Sequence, residues 1–188
     1  GGFSMGGGGC ARLALAAPNV FSGFASFSGD ILVDRLTEMF QYINTNENPN
    51  FIYTPPSPSK PYTYVAWGFA SAFSPDSTNP YSCQFPLVEG TGQLRDSVFR
   101  SWLRGDALSL ARQYFIVNRN PADSMNIYVR VGTNDPTLTL YPMSRDFSDS
   151  LTSWRITHNY GTHSLGHNFN SNLASPLLLW VDSLFRRQ

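Results

Sequence analysis

The stretch Gly1-Gly2-Phe3-Ser4-Met5-Gly6-Gly7-Gly8-Gly9-Cys10-Ala11-Arg12-Leu13-Ala14-Leu15-Ala16 opens the chain, and its reading decides the fold. Within it, Gly2-Phe3-Ser4-Met5-Gly6 matches G-x-S-x-G, the pattern of a nucleophile elbow. That pattern works only where a strand turns sharply into a helix and holds the Ser hydroxyl beside a base. The competing reading is a Gly-rich arm, because six of the first nine residues are glycine. So much backbone freedom does not order by itself. No strand pattern precedes Ser4, and more glycines follow it. Residues 1–10 therefore read as a flexible arm, and the motif match reads as coincidence.

Outward from that arm the pattern is mostly strand-like. Val20 to Phe27 is a predicted strand. Thr63 to Phe73 alternates, with Val65, Trp67, Phe69 and Phe73 on one side. Leu108, Leu110, Tyr114 and Ile116 alternate, and Met125, Ile127, Val129 and Val131 oppose Asn126, Tyr128 and Arg130. Tyr81 to Leu87, Thr137 to Tyr141 and Leu151 to Thr157 are shorter candidates. Leu177 to Phe185, apolar on both faces, has the composition of a centrally buried strand. Helical spacing recurs in only two places, Leu32 to Ile43 and Leu94 to Leu103. Thr54 to Pro61 carries four prolines and reads as a stiff connector. Eight or nine strands that do not alternate with helices argue against a parallel α/β sheet. The expected fold is all-β: an eight-stranded antiparallel jelly-roll sandwich with two short helices, spanning residues 11–188. An immunoglobulin-like sandwich fits less well, because Cys10 lies in the arm and the Cys–Trp–Cys spacing is missing.

Composition narrows the function. The 188 residues carry 13 basic and 13 acidic side chains, a net charge of zero, with 12 Arg against the single Lys60. Aromatic residues reach 14%, too many for a disordered tail. A balanced charge argues against a strongly basic nucleic-acid binder and leaves a free monomer poorly protected against self-association. Cys10 and Cys83 form no disulfide framework, which suits a reducing setting. No apolar run reaches the roughly 18 residues of a membrane span, and the first residues lack the features of a signal peptide.

No constellation reads as catalytic. His158, His163 and His167 are the only histidines and fall within ten residues. His163 and His167 have the spacing of two ligands on one helix face, but the segment is rich in Gly and Asn and offers no nearby third ligand. The expectation is a solvated loop without metal or cofactor. The functional alternative is a pH-sensitive cluster at a subunit contact, losing strength as the imidazoles charge near pH 6. Arg104-Gly105-Asp106 spells a receptor-binding tripeptide but reads as a helix end. Pro55-x-x-Pro58 and Pro58-x-x-Pro61 read as connector rather than ligand. Arg95, Arg100 and Arg104 along the second helix, with Arg186 and Arg187, are the candidates for weak contact with an RNA backbone. There is no P-loop, no Rossmann glycine pattern and no paired-carboxylate site.

The ends carry the remaining signal. Gly1 at the start and Gln188 at the finish are what picornain-like proteases leave on cutting a polyprotein at Gln|Gly. With the Gly-rich arm, Pro-rich loops, low charge and sandwich pattern, the chain resembles the coat proteins of picorna-like viruses. Among these it looks most like the smaller coat protein of cheraviruses, in the plant-infecting secovirid family. The resemblance implies a structural, non-enzymatic capsid subunit in the virion, and in the host cytoplasm during assembly. It implies an icosahedral shell around positive-strand RNA, built with two different companion chains and no membrane. Phe3 in the arm is then a candidate anchor on a neighbour. The alternative is a carbohydrate-binding sandwich module, with Trp154 and His158-Asn159-Tyr160 as its nearest candidate surface. A small metal-dependent jelly-roll enzyme would need metal on the His cluster.

Overall fold

The computed structural model of the chain describes residues 1–55, 57–137 and 139–186. In order, it contains β1 (Gly2–Phe3), α1 (Met5–Ala16), β2 (Gly23–Phe27), α2 (Leu36–Tyr42) and a π-helical turn (Ile43–Glu47). Next come α3 (Pro61–Phe73), α4 (Asp96–Arg104), α5 (Ala107–Ala111) and a second π-helical turn (Arg112–Val117). The chain finishes with β3 (Asn126–Gly132), α6 (Leu140–Ser153), β4 (Asn159–His163) and α7 (Ser171–Phe185).

The strands form one four-stranded sheet in the order β1-β2-β3-β4, and every pairing is parallel. This overturns the expected eight-stranded antiparallel jelly roll: the fold is α/β. The Gly-rich start is not an arm, because Gly2–Phe3 pairs with Ser26 and Phe27, and Met5 opens a helix of 12 residues. Parallel strands need crossovers, and helices supply them. Ser26 of β2 lies against Gly7 of α1, and Phe24 meets Phe147 of α6 at 6.4 Å, so α1 and α6 cover one face. The opposite face carries Ala25, Phe27 and Tyr128, covered by Phe3 and by Leu173, Leu177 and Trp180 of α7.

Several predicted strands are helices for identifiable reasons. Leu173, Leu177, Trp180 and Leu184 recur at i, i+4, i+7 and i+11, a helix stripe that turns toward the sheet while Leu178 and Leu179 stay 66% and 71% exposed. A segment with leucines on both sides looks like a buried strand until its cap is seen. Asn170 accepts from the Asn172 N–H at 3.1 Å and starts α7. Thr63 to Phe73 belongs to α3, which buries Thr63, Ala66, Phe69 and Ala70. Pro61 takes its first position, and the Glu47 carboxylate accepts from the Tyr62 and Thr63 N–H groups at 3.0 and 2.7 Å. Leu151 to Thr157 begins as the end of α6, and Leu108 to Ile116 is helical throughout. The strand reading holds for β2 and β3, and the helix reading for α2 and α4.

The chain divides into two compact units. The first, residues 1–32 and 110–188, holds the whole sheet. The second, Val33–Ser109, is inserted in the sequence after β2. Its interior is aromatic: Trp102 is fully buried, donates Nε1–H to Ser74 Oγ at 2.9 Å, and lies 6.0 Å from Phe40 and 5.5 Å from Phe73. A second set joins Phe51, Tyr53, Trp67 and Phe85. Among the described residues, no helix is long and apolar enough to cross a membrane.

Candidate active site

Ser4 is the joint between β1 and α1. Its backbone sits at φ 55°, ψ −127°, a region that a non-glycine residue occupies only under strain. Its N–H donates to Phe27 O at 2.9 Å, and its carbonyl accepts from Gly7 and Gly8 at 2.8 and 3.2 Å. The turn is therefore pinned from the neighbouring strand on one side and from the helix on the other. Glycine is required around it by close approach. A Cβ on Gly2 would run into the Gly6 carbonyl, and a Cβ on Gly8 would run into the Asp30 carboxylate. The match to G-x-S-x-G that the sequence offers as coincidence thus stands on a strand–turn–helix, the geometry the motif demands.

Two loops bring partners to the Ser4 hydroxyl. His167, in the loop after β4, places Nε2 3.0 Å from Ser4 Oγ. Its Nδ1 lies 2.8 Å from Asp135 Oδ2, in the loop after β3. The Asp135 side chain is fully buried, and its other oxygen accepts the Thr137 N–H at 3.0 Å. An ionised carboxylate accepts, so Nδ1 carries the proton and Nε2 is left to accept from the Ser4 hydroxyl. All three residues follow the carboxyl ends of parallel strands, where open α/β sheets place their sites. The loops are tied at their bases: Thr133 N–H donates to His163 O at 2.8 Å, and Asn134 Nδ2 donates to Ser164 O at 2.9 Å.

The turn is braced from behind by a buried ion pair. Arg12 of α1 lies 3.2 Å from Asp30 Oδ2 and also donates to the Asp30 carbonyl. Burial pushes the Asp30 carboxyl up from 3.8 to about 6, with Arg12 pulling the other way. Burial likewise raises the Cys10 thiol, whose Sγ contacts the Gly7 and Ala25 carbonyls at 3.2 Å each.

The remaining sequence candidates scatter. Of the three histidines, only His167 joins Ser4. His158 accepts or donates at Ser148 Oγ, 2.8 Å away, while its Nδ1 donates to Ile156 O at 2.9 Å. His163 ends β4, and burial lowers its pKa. Among the described residues, no three His, Cys, Asp or Glu side chains gather as a metal would need. Arg100 pairs with Asp96 at 3.1 Å, Arg186 pairs with Asp182 at 2.7 Å, and Arg95 and Arg104 stand at the two ends of α4. Arg187 and Gln188 lie outside the described residues, and Gly1 stands beside Ala25 just before β1. Trp154 ends α6, whereas Asn159 and Tyr160 belong to β4.

Sequence reasoning saw Ser4 and set it aside, and it saw His167 in the wrong company. It missed Asp135, which lies in the Asn134-Asp135-Pro136 segment just after the strand pattern of Met125 to Val131. The available signal was an Asp in a turn immediately after the chain's cleanest strand, between a G-x-S-x-G serine and a later histidine. Against protein-family models and curated proteins, the chain finds no match.

Proposed function

We propose that this chain carries the catalytic machinery of a serine hydrolase that cleaves carboxylic esters through an acyl-enzyme. The observation that supports it is the hydrogen-bonded series Ser4 Oγ, His167 and Asp135, on a strained strand-to-helix turn. The chain order Ser, Asp, His is that of the α/β-hydrolase arrangement.

The chemistry follows from the geometry. Ser4 Oγ attacks the ester carbonyl carbon, and its proton passes to His167 Nε2. The buried Asp135 carboxylate holds the ring and stabilises the imidazolium that forms. The carbonyl oxygen gains negative charge at the start of α1. Helix geometry gives the Met5 and Gly6 N–H groups no acceptor inside the helix, so they are the donors available there. Collapse of the tetrahedral intermediate breaks the bond to the alcohol, which takes the proton from His167. Water then attacks the acyl-Ser4, giving a proton to His167; the bond from the acyl carbon to Oγ breaks, His167 returns the proton to Ser4 Oγ, and the carboxylic acid leaves.

The coat-protein expectation drew on a jelly-roll sandwich and on Gly1 and Gln188. The parallel sheet withdraws the first support and nothing in the fold adds to the second.

Labelling with a fluorophosphonate probe, alongside hydrolysis of p-nitrophenyl esters, tests the reading. Covalent modification at Ser4, abolished together with turnover in Ser4→Ala, is expected. Turnover that survives in Ser4→Ala, or a chain that the probe does not label, would overturn it.

A further inference from the structure

We infer that Phe3 is a positioning residue for His167, holding the plane of the imidazole so that both of its hydrogen bonds form together; this rests on the hydrolase reading above. The two hydrogen bonds of His167 lie at opposite ends of the ring, one to Asp135 and one to Ser4. Two such contacts fix the line between the nitrogens, and beyond them the swing of the ring about that line is restrained only through the Cβ–Cγ bond, which is carried by a loop. That loop is not packed away, because residues 164–170 are all at least partly exposed and the His167 side chain keeps 27% of its surface. A contact on the ring face limits that swing further.

Phe3 supplies the contact. Its ring centroid lies 4.7 Å from that of His167, with the planes tilted by 36°. It is itself held. Phe3 packs against the Ala25, Phe27 and Tyr128 cluster under α7, and it lies 6.2 Å from Phe169, whose ring meets Phe27 edge-on at 4.8 Å. It also directly precedes Ser4 on β1, so the nucleophile and the support for its base are adjacent along one backbone. Strand alternation explains the side it takes: Gly2 faces α1 and Phe3 faces the opposite side of the sheet. A flat, anchored ring is suited to this role because it limits rotation without competing for either nitrogen.

The test compares Phe3→Leu and Phe3→Tyr with the wild-type chain. Leu retains apolar contact with the cluster but loses the flat face, whereas Tyr keeps it. Two quantities are read: the rate at which a fluorophosphonate probe modifies Ser4, and the low-field proton resonance of the His167 Nδ1–H. A merely structural role for Phe3 would leave that resonance in place in any folded variant. Thermal unfolding confirms that each variant is folded. Phe3→Leu is expected to label about fivefold more slowly, the scale of a modest misalignment, and to lose or broaden the resonance. Phe3→Tyr should match the wild type in both. A Phe3→Leu chain that labels at the wild-type rate with its resonance intact overturns the inference and leaves the hydrolase reading standing. So does equal slowing in both variants, because then the flat face is not what matters. A wild-type chain that shows no labelling at Ser4 overturns the hydrolase reading, and this inference with it.

Discussion

Ser4 shows how much chemistry one dihedral angle can commit. With φ at 55° its side chain is thrown clear of both strand and helix, toward whatever the next loops deliver. They deliver His167, and behind it the buried Asp135. The burial of that carboxylate explains its expected effect. Asp135→Asn keeps the shape but can turn an amide N–H toward Nδ1, favouring the wrong tautomer and leaving the imidazolium without its counter-charge. Turnover of p-nitrophenyl esters should fall about 10³–10⁴-fold, with KM within a few-fold of the wild type. A decrease smaller than tenfold would mean that Asp135 is not the partner of His167. At this scale the sequence was legible in type but not in role. Ser4 lay inside a recognisable motif, and His167 was visible as one of three histidines. Nothing in one dimension separates His167 from His158, which instead bonds to Ser148, or marks Asp135 out from other turn aspartates.

Among the elements, α1 depends most directly on its residues' size. Its first turn lies so close to the end of β2 that Gly7 meets Ser26 and Gly29, and Gly8 meets Asp30. Gly9, one position later, has open space around its Cβ site. The two glycines should therefore respond differently. Gly8→Ala forces a methyl group against a buried carboxylate and should destabilise the chain by about 1–3 kcal/mol in urea unfolding. Gly9→Ala should be neutral or stabilising by up to about 1 kcal/mol, because alanine is the better helix former. Equal losses at both positions would show that the contact with Asp30 does not decide the matter. The run Gly6-Gly7-Gly8-Gly9 looked like a chain too flexible to order. Its tertiary meaning is the reverse: small residues let α1 approach the sheet closely. Likewise, the alternation of Thr63 to Phe73 fitted a strand on paper. A Pro at the first helical position and a distant capping carboxylate, Glu47, made it α3.

For the whole molecule, the Arg12–Asp30 pair links stability to pH. Asp30 is 7% exposed, and burial raises its carboxyl to about 6 from an ordinary 3.8, against the pull of Arg12. The protonated form is thus favoured in the folded state. The stability this contributes is complete below about pH 3.8 and is lost as the pH rises through about 6. Asn does not titrate, so the stability of the wild type relative to Asp30→Asn should grow between pH 8 and pH 5. The change over that range should be about 1.4 kcal/mol, because pH 5 lies only one unit below the folded-state value of about 6. Urea unfolding of both chains across that range measures it, and parallel pH profiles would refute the assignment.

The sequence by itself determined the local matters. It set which segments are apolar, where β2 and β3 run, where α2 and α4 form, and that a serine sits in a G-x-S-x-G pattern. Those features depend on neighbours within a few residues. Only the tertiary structure decided the fold class. The sequence shows β2 and β3 but not that they pair in parallel, and segments such as α3 and the leucine-rich α7 imitate further strands. The site was likewise a tertiary decision. Ser4, Asp135 and His167 stand at three points far apart in the chain, and their hydrogen bonds exist only because three parallel strands end on the same side of one sheet.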